Sequence, residues 1–488
     1  MSAELAVPSF FSDGMVLQQK SGAKIWGWED EGAKVTVAFG GKKESAKADE
    51  EGRWEVTLSG LEASGEGKEL RISSGKEELV IQDVVVGEVW VASGQSNMEW
   101  KIARSGGAKK VIAESKDPLL RMYLTPNIAK AEPQIDFPGE WASASPKAAG
   151  AMSAVGYFFA KRLREELNVP VGVIECAWGS RPVESFVSEE ALHTLAEAKG
   201  VLEKKEQAIA QWDPALAKEK FEKDLVRWEK KKKGRRPQMP EAPVKNSRMA
   251  STIYQGMIAP LVGYGARGVI WYQGESNAQN ETAHAYEELL GCLVADWRER
   301  WGREMSFYYV QLANYREATT EPGVEDGWVT VQDEMRRALT SIPRSGMAVI
   351  NDIGEADDIH PKNKHDVGER LARWALAKDY GNEEIVVSGP LFKKAKRKGK
   401  KMVVSFDYNG GLQSRDGEAL QRFEIKAEGG NWVWAQAKIN KEGQVIVWSD
   451  EVEQPAEVRY AWASNPEGAN LVNGAGLPAS CFTSEETQ

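Results

Sequence analysis

From about residue 84 to residue 378 the chain alternates short apolar runs with amphipathic stretches of helical length, and this alternation restricts the fold more than any other feature. Val84 to Ala92, Val171 to Ala177, Val269 to Tyr272, Phe307 to Leu312 and Met347 to Ile350 read as buried strands. Gly156 to Leu167, about Glu281 to Arg300, Val329 to Leu339 and Lys364 to Lys378 read as helices. Strands that alternate with helices bury both faces of a sheet, so the pattern predicts an α/β unit with a mostly parallel sheet. Ligands in such sheets bind beyond the carboxyl ends of the strands, which directs attention to the loops there.

The flanks have a different texture. Up to residue 86, stretches such as Lys24 to Trp28, Lys34 to Ala38 and Arg53 to Thr57 alternate with period two between Gly-rich or acidic turns. That is the pattern of a small β-sandwich. After Gly389 the short strands return, at Met402 to Phe406, Phe423 to Ala427, Trp432 to Ala435, Val445 to Trp448 and Val458 to Trp462. The expected organisation is a β-domain over 1–86, an α/β domain over 87–388 and a second β-domain over 389–488. Within the α/β domain, residues from about 188 to 245 carry charged helical pattern and no strand signal, ending in the breaker-rich Gly234 to Pro243, and read as a helical insertion.

Composition narrows the partners. Lys and Arg total 63 against 73 Asp and Glu, a net charge of -10 that argues against nucleic acid, where binding energy comes largely from neutralised phosphates. The basic runs Lys230 to Lys233 (with Arg235 and Arg236) and Lys393 to Lys401 sit among polar or acidic neighbours and read as solvated faces. No run of about 18 apolar residues exists to span a membrane. Met1 to Gly14 lacks the basic start and apolar stretch of a secretory leader; the localisation expected is secreted or periplasmic, with the chain a mature form whose leader has been removed. Three cysteines, Cys176, Cys292 and Cys481, make neither a disulfide framework nor a metal site. The 18 Trp residues favour sugar contact only where exposed, since most indoles serve cores.

Four strand-end loops carry the chemistry. The first strand runs into Ser93-Gly94-Gln95-Ser96-Asn97-Met98, where Gly94 permits a tight turn and Ser96 opens a helix with backbone N–H groups nearby. That suits a nucleophile beside an oxyanion site; a helix-capping serine is the structural alternative. A serine nucleophile needs a base, and the chain has four histidines. His193 lies in the charged insertion, and His284 and His365 lie in helical pattern. His360, in Asp357-Asp358-Ile359-His360-Pro361, is held in a loop by the following proline. Its imidazole can take and return a proton, and either aspartate can orient it. The competing reading is a cation-binding acidic loop using Asp352, Glu355 and Asp357. The loops Cys176 to Arg181 and Ile270 to Asn277 offer oxyanion donors at Gly179, Gln273 and Asn277.

These blocks, Ser93 to Met98, Trp178-Gly179, Trp271 to Asn277 and Asp358-Ile359-His360-Pro361, resemble the ordered blocks of the SGNH hydrolase superfamily. More narrowly they resemble its sialate O-acetylesterase family of carbohydrate esterases. The likeness extends to Ser12-Asp13-Gly14-Met15-Val16-Leu17-Gln18 and to Ala469 to Ser480, and so covers nearly the whole chain. It implies a flavodoxin-like catalytic domain with attached β-domains, Ser96 as nucleophile, His360 as base, and the amides of Ser96 and Gly179 in the oxyanion hole. Superfamily members place an Asn of a Gly-x-Asn block there as third donor; here Gln273 and Asn277 flank Gly274, and Gln273, nearer the strand end, is favoured. Superfamily spacing selects Asp357 as triad acid, whereas the narrower family's Asp-Ile-His-Pro selects Asp358.

Where the family has Trp-Gly-Gly-Thr, this chain has Trp178-Gly179-Ser180-Arg181. Arg181, with Trp178 and Glu275, is a candidate substrate contact, or else forms a structural salt bridge. The resemblance implies hydrolysis of acetyl esters on an O-acetylated carbohydrate, sialic acid or a plant or algal polysaccharide such as xylan or xyloglucan, without metal or cofactor. Two other readings compete: a non-catalytic carbohydrate-binding protein on a degenerate hydrolase fold, and a lipase or thioesterase. The latter lacks the long apolar stretches a lipid channel would require.

Overall fold

A computed structural model describes residues 4–485. Its centre is a sheet in the order Ser345–Ala348, Ser306–Val310, Gly268–Tyr272, Glu77–Gly94, Val171–Ala177, Asp117–Leu124, Glu140–Ala144. The first six strands run parallel and the last is antiparallel to its neighbour. Side chains alternate between the two faces, as strand geometry requires. Trp90, Ala92, Ile270, Tyr272, Tyr308 and Val310 share one core with the helices Ala154–Leu167 and His365–Lys378. Val89, Val91, Val269, Trp271, Phe307 and Tyr309 share the other with Tyr286–Trp301 and Gly327–Ser341. Caps set the helix ends: Ser153 Oγ accepts from Gly156 N at 3.1 Å, and Asp326 Oδ1 from Trp328 N at 2.6 Å.

The texture change at residues 86 and 87 falls inside one continuous strand, Glu77–Gly94. Its first half pairs with Ser64–Ser74 and with Val16–Gln18, and its second half lies at the centre of the parallel sheet. Strands Ala23–Trp28 and Arg53–Leu58 pair with each other, and their inner residues Ile25, Trp54 and Val56 share a core with Val35, Val37, Leu70 and Ile72. The Ser12 to Gln18 block has a structural task. Gln18 accepts from Val89 N at 2.8 Å and donates to the fully buried Glu88, whose carboxylate also takes Arg267 and the Tyr380 hydroxyl.

The insertion contains the helices Glu189–His193, Lys199–Ala210 and Pro214–Lys231, the last with no buried residue. The run Lys230 to Lys233 falls at that helix's solvated end. At the C-terminus, seven antiparallel strands follow the order 391–398, 401–407, 445–448, 433–439, 423–427, 455–460, 482–483. Lys393 to Lys398 belong to the strand at one edge of this sheet, where charge discourages further pairing. The Ala469 to Ser480 block fastens this sheet to the α/β unit: Asn351 Nδ2 donates to Ala479 O at 2.9 Å and Gln311 Nε2 to Ser480 Oγ at 2.7 Å. Among the described residues no helix is long and apolar enough to cross a membrane.

Candidate active site

The central strand ends at Gly94, whose φ of +128° and close contact leave no room for a side chain: a Cβ there would sit 2.2 Å from Tyr272 O. The sharp exit places Ser96 at the first position of the short helix Ser96–Glu99, so its amide has no intrahelical acceptor and is free to face a ligand. Ser96 Oγ lies 2.9 Å from His360 Nε2, although the two residues are 264 positions apart. Trp100 stacks on the imidazole at 4.8 Å between centroids with planes 15° apart, and Arg104 lies 4.0 Å above the same indole. Burial and the nearby Lys364 cation hold the His360 imidazole below its ordinary pKa, against the opposing pull of Asp358.

The two candidate aspartates separate in space. Asp358 Oδ1 accepts the His360 backbone N–H at 2.9 Å and lies 3.6 Å from Nδ1 of the ring. Asp357 is exposed to solvent. The acidic-loop alternative also resolves: Asp352 is taken by Arg370 at 2.6 and 2.9 Å, and Glu355 by Lys362 N at 2.8 Å. The described residues contain no cluster of His, Cys, Asp and Glu able to hold a metal ion.

The oxyanion candidates are distributed differently from expectation. Gly179 N already donates to Glu99 Oε2 at 2.7 Å, with the other Glu99 oxygen held by Asn127 Nδ2 at 2.9 Å. Gln273 is fully buried; its amide nitrogen donates to Asn277 Oδ1, Arg181 O and Gln95 Oε1, and its Oε1 accepts from Tyr286. Asn277, equally buried, donates to Glu184 and Thr282 and accepts from Val183 N at 3.0 Å. Both amide side chains are spent in stitching the loop after Gly268–Tyr272 to the loop after Val171–Ala177.

Arg181 forms no salt bridge among the described residues. Its guanidinium donates to Gly179 O at 2.7 Å and Ser247 Oγ at 2.7 Å, and lies 4.6 Å over the Trp178 ring. Burial and the neighbouring Arg248 pull its pKa down to about 10. Glu275 is buried, with Oε1 accepting from Asn97 Nδ2 at 2.5 Å and Oε2 without a hydrogen-bond partner among the described residues. Burial raises its carboxyl pKa.

Ser96, His360 and Glu275 border a cavity of about 650 Å³, also lined by Val201, Lys204, Arg248 and Glu281. Val201 and Lys204 come from the insertion helix Lys199–Ala210, so the insertion shapes the cavity. Sequence reasoning did not single out Trp100, Asn97, Glu99 or Lys364. The first three lie within four residues of the nucleophile in the chain, which was the one available signal.

A serine hydroxyl in contact with a loop histidine, at the carboxyl end of a parallel sheet and beside an open cavity, defines a serine hydrolase site. Comparison narrows the class. The family described as carbohydrate esterase, sialic acid-specific acetylesterase matches residues 227–377. The sialate O-acetylesterase of Rattus norvegicus is 28% identical, covering 98% of this chain and 94% of its own, and that of Homo sapiens is 25% identical over 94% and 87%. A crystal structure of a carbohydrate acetylesterase from Xanthomonas citri superposes with a TM-score of 0.85 at 35% identity, over 99% of this chain and all of that one. The chain belongs to the sialate O-acetylesterase family of carbohydrate esterases.

Proposed function

We propose that this protein removes acetyl groups from the hydroxyls of O-acetylated sugars through an acetyl-enzyme on Ser96. The 2.9 Å contact between Ser96 Oγ and His360 Nε2 at the cavity wall carries the reading. With Nε2 unprotonated, His360 accepts the Ser96 proton as Oγ attacks the acetyl carbonyl; Asp358, beside Nδ1, stabilises the imidazolium that forms. The sugar alcohol leaves with the proton returned from Nε2. Water then attacks the acetyl-enzyme with His360 again as base, releasing acetate. The Ser96 amide, at a helix start, is the first oxyanion donor. The Gly179 amide becomes the second when the acetyl oxygen takes the place of the Glu99 carboxylate.

The finer fold assignment rests on strand order. Setting aside the edge pair Asp117–Leu124 and Glu140–Ala144, the parallel strands run 2-1-3-4-5 in chain order, the order of flavodoxin-like sheets, with Ser96 at the crevice beside the first strand. The cavity accommodates a sugar, and its lining of Lys204, Arg248, Glu281, Asn280 and Thr282 is suited to hydroxyl-rich ligands, not lipid tails. Glu275 borders the same cavity, while Arg181 and Trp178, on the loop that carries Gly179, do not line it. A secreted or periplasmic setting fits a polymeric or cell-surface substrate.

Acetate release from an acetylated chromogenic ester, O-acetylated sialic acid, acetylated xylan and xyloglucan tests the proposal, in parallel with Ser96→Ala. Acetate from the wild type and none from the variant is the expected result. Equal release from both would overturn it. A folded protein that binds glycan without releasing acetate would establish the binding-protein reading instead.

A further inference from the structure

Lys364 is fully buried, which is costly for an ammonium unless hydrogen bonds and an opposite charge compensate. Its compensation lies next to the nucleophile. The ammonium donates to Asn97 Oδ1, and Asn97 in turn uses its amide nitrogen for Glu275 Oε1 at 2.5 Å and for Ile359 O at 3.0 Å. One side chain, adjacent to Ser96, thereby joins the nucleophile helix, the loop after Gly268–Tyr272, and the residue immediately before His360. Lys364 closes the network from the far side, at the start of the helix His365–Lys378. Its Nζ lies 5.8 Å from the Trp100 ring that stacks on His360 and 5.4 Å from Tyr272.

We propose that Lys364 is a positioning residue of the esterase: through Asn97 it holds the nucleophile helix and the histidine loop in register, and its charge keeps His360 in the unprotonated, base-competent form. This rests on the reading of Ser96 and His360 as nucleophile and base.

The charged groups facing Lys364 are Glu275 from the neighbouring loop and Asp358 and Glu355 from the histidine loop. Those facing His360 are Asp358, Lys364 and Arg104. Burial pulls the Lys364 pKa down to about 7, against the attraction of Glu275. Below that pH, where the imidazole itself titrates, Lys364 is cationic and opposes a second positive charge on His360. Asp358 pulls the other way, so the two side chains set the base between them. A methionine of similar length would fill the space as well as lysine does. The bond to Asn97 needs a donor but not a charge, so the charge of Lys364 is separable from its hydrogen bond by substitution.

The test is the pH profile of kcat/KM on a chromogenic acetate ester for wild type, Lys364→Gln, Lys364→Met and Lys364→Arg. Gln removes the charge while retaining a donor for Asn97, and Arg retains the charge. In the Gln and Met variants the acidic limb moves to higher pH. On the acidic slope each then keeps a fraction of its own plateau activity at least about twofold smaller than wild type does at the same pH, a displacement of about 0.3 pKa unit. Lys364→Arg keeps the wild-type limb whatever its plateau. If Met does not fold, Gln alone decides. Lower plateaus with every limb at the wild-type pH would overturn the charge role. That result is separable from failure of the esterase reading, which Ser96→Ala reports independently.

Discussion

Replacing Asp358 by asparagine measures how much of the triad's electrostatics this site uses. Asp358 Oδ1 is 3.6 Å from His360 Nδ1, beyond hydrogen-bond length, and the Asp358 side chain is 36% exposed. Two unit charges at that separation interact by about 1.2 kcal/mol at a dielectric of 80 and about 4.6 kcal/mol at an effective 20. At about 1.4 kcal/mol per decade those limits correspond to rate losses of roughly 7-fold and roughly 2,000-fold. A carboxylate one-third open to water belongs between them, so Asp358→Asn is expected to lose on the order of 100-fold in kcat/KM. That is well short of the ~10,000-fold seen where a buried triad aspartate is bonded directly to the ring. Asp357→Asn, at an exposed side chain, should stay within about twofold of wild type, since surface charges are weakly coupled. The assay is initial-rate kinetics on a chromogenic acetate ester, with thermal melting to confirm that both variants fold. An Asp357→Asn loss equal to or larger than that of Asp358→Asn would refute the assignment. A loss below about threefold for Asp358→Asn would refute the electrostatic argument itself.

Two further outcomes follow from the same structure. Burial and Lys364 hold His360 below its ordinary pKa of 6.5, so the base is unprotonated above that lowered value. The wild-type kcat/KM should therefore fall only as pH drops below 6.5, and an acidic midpoint at or above 6.5 would contradict this. In the C-terminal sheet Arg459 and Glu424 form a pair 2.9 Å apart, 0% and 2% exposed. Glu424→Leu strands the guanidinium with the exposed Glu325 and should cost about 3 kcal/mol, the lower end for a broken buried pair, read by denaturant unfolding; a change under about 1 kcal/mol would contradict it.

The strands and helices of the α/β unit were legible because their apolar periodicities are local. Val171–Ala177 is observed at its expected limits, and the helix expected at Lys364 begins one residue later. The Asp117–Leu124 and Glu140–Ala144 pair was not, since Pro118 and Arg121 break the apolar run of a strand at the margin of the sheet. Ser96 and His360 were legible from a glycine before one and a proline after the other. The choice between Asp357 and Asp358 turns on a local hydrogen bond that spacing does not encode, with Asp358 bonding the backbone two residues on. Gln273 and Asn277 look like donors because they sit at a strand end, yet each amide is consumed by partners up to 178 positions distant. Lys364 reads in sequence as one more charge at a helix start, and lysines are rarely buried. Only the tertiary arrangement shows it beneath the site.

Strand order explains why the histidine loop carries so many tethers. Gly94 is level with Ala177 on one side and with Tyr272 on the other, so three of the four site loops leave the sheet side by side from adjacent strands. Their relative positions follow from strand pairing alone. The fourth loop leaves from Ser345–Ala348, three places from the nucleophile's strand, and must cross the ends of two others to reach Ser96. Strand register cannot fix its tip over that span. Contacts along the way do: Gly354 N to Asn314 Oδ1 at 2.7 Å, Arg316 N to Ala356 O at 2.8 Å, Gly106 N to Lys362 O at 2.8 Å, and finally Asn97 to Ile359 O. The first two tie the loop to the strand end it crosses, and the last two tie it to the segment that follows the nucleophile. Serine and base are thus referenced to one another through Asn97 and Gly106 as well as to the sheet through Asn314 and Arg316.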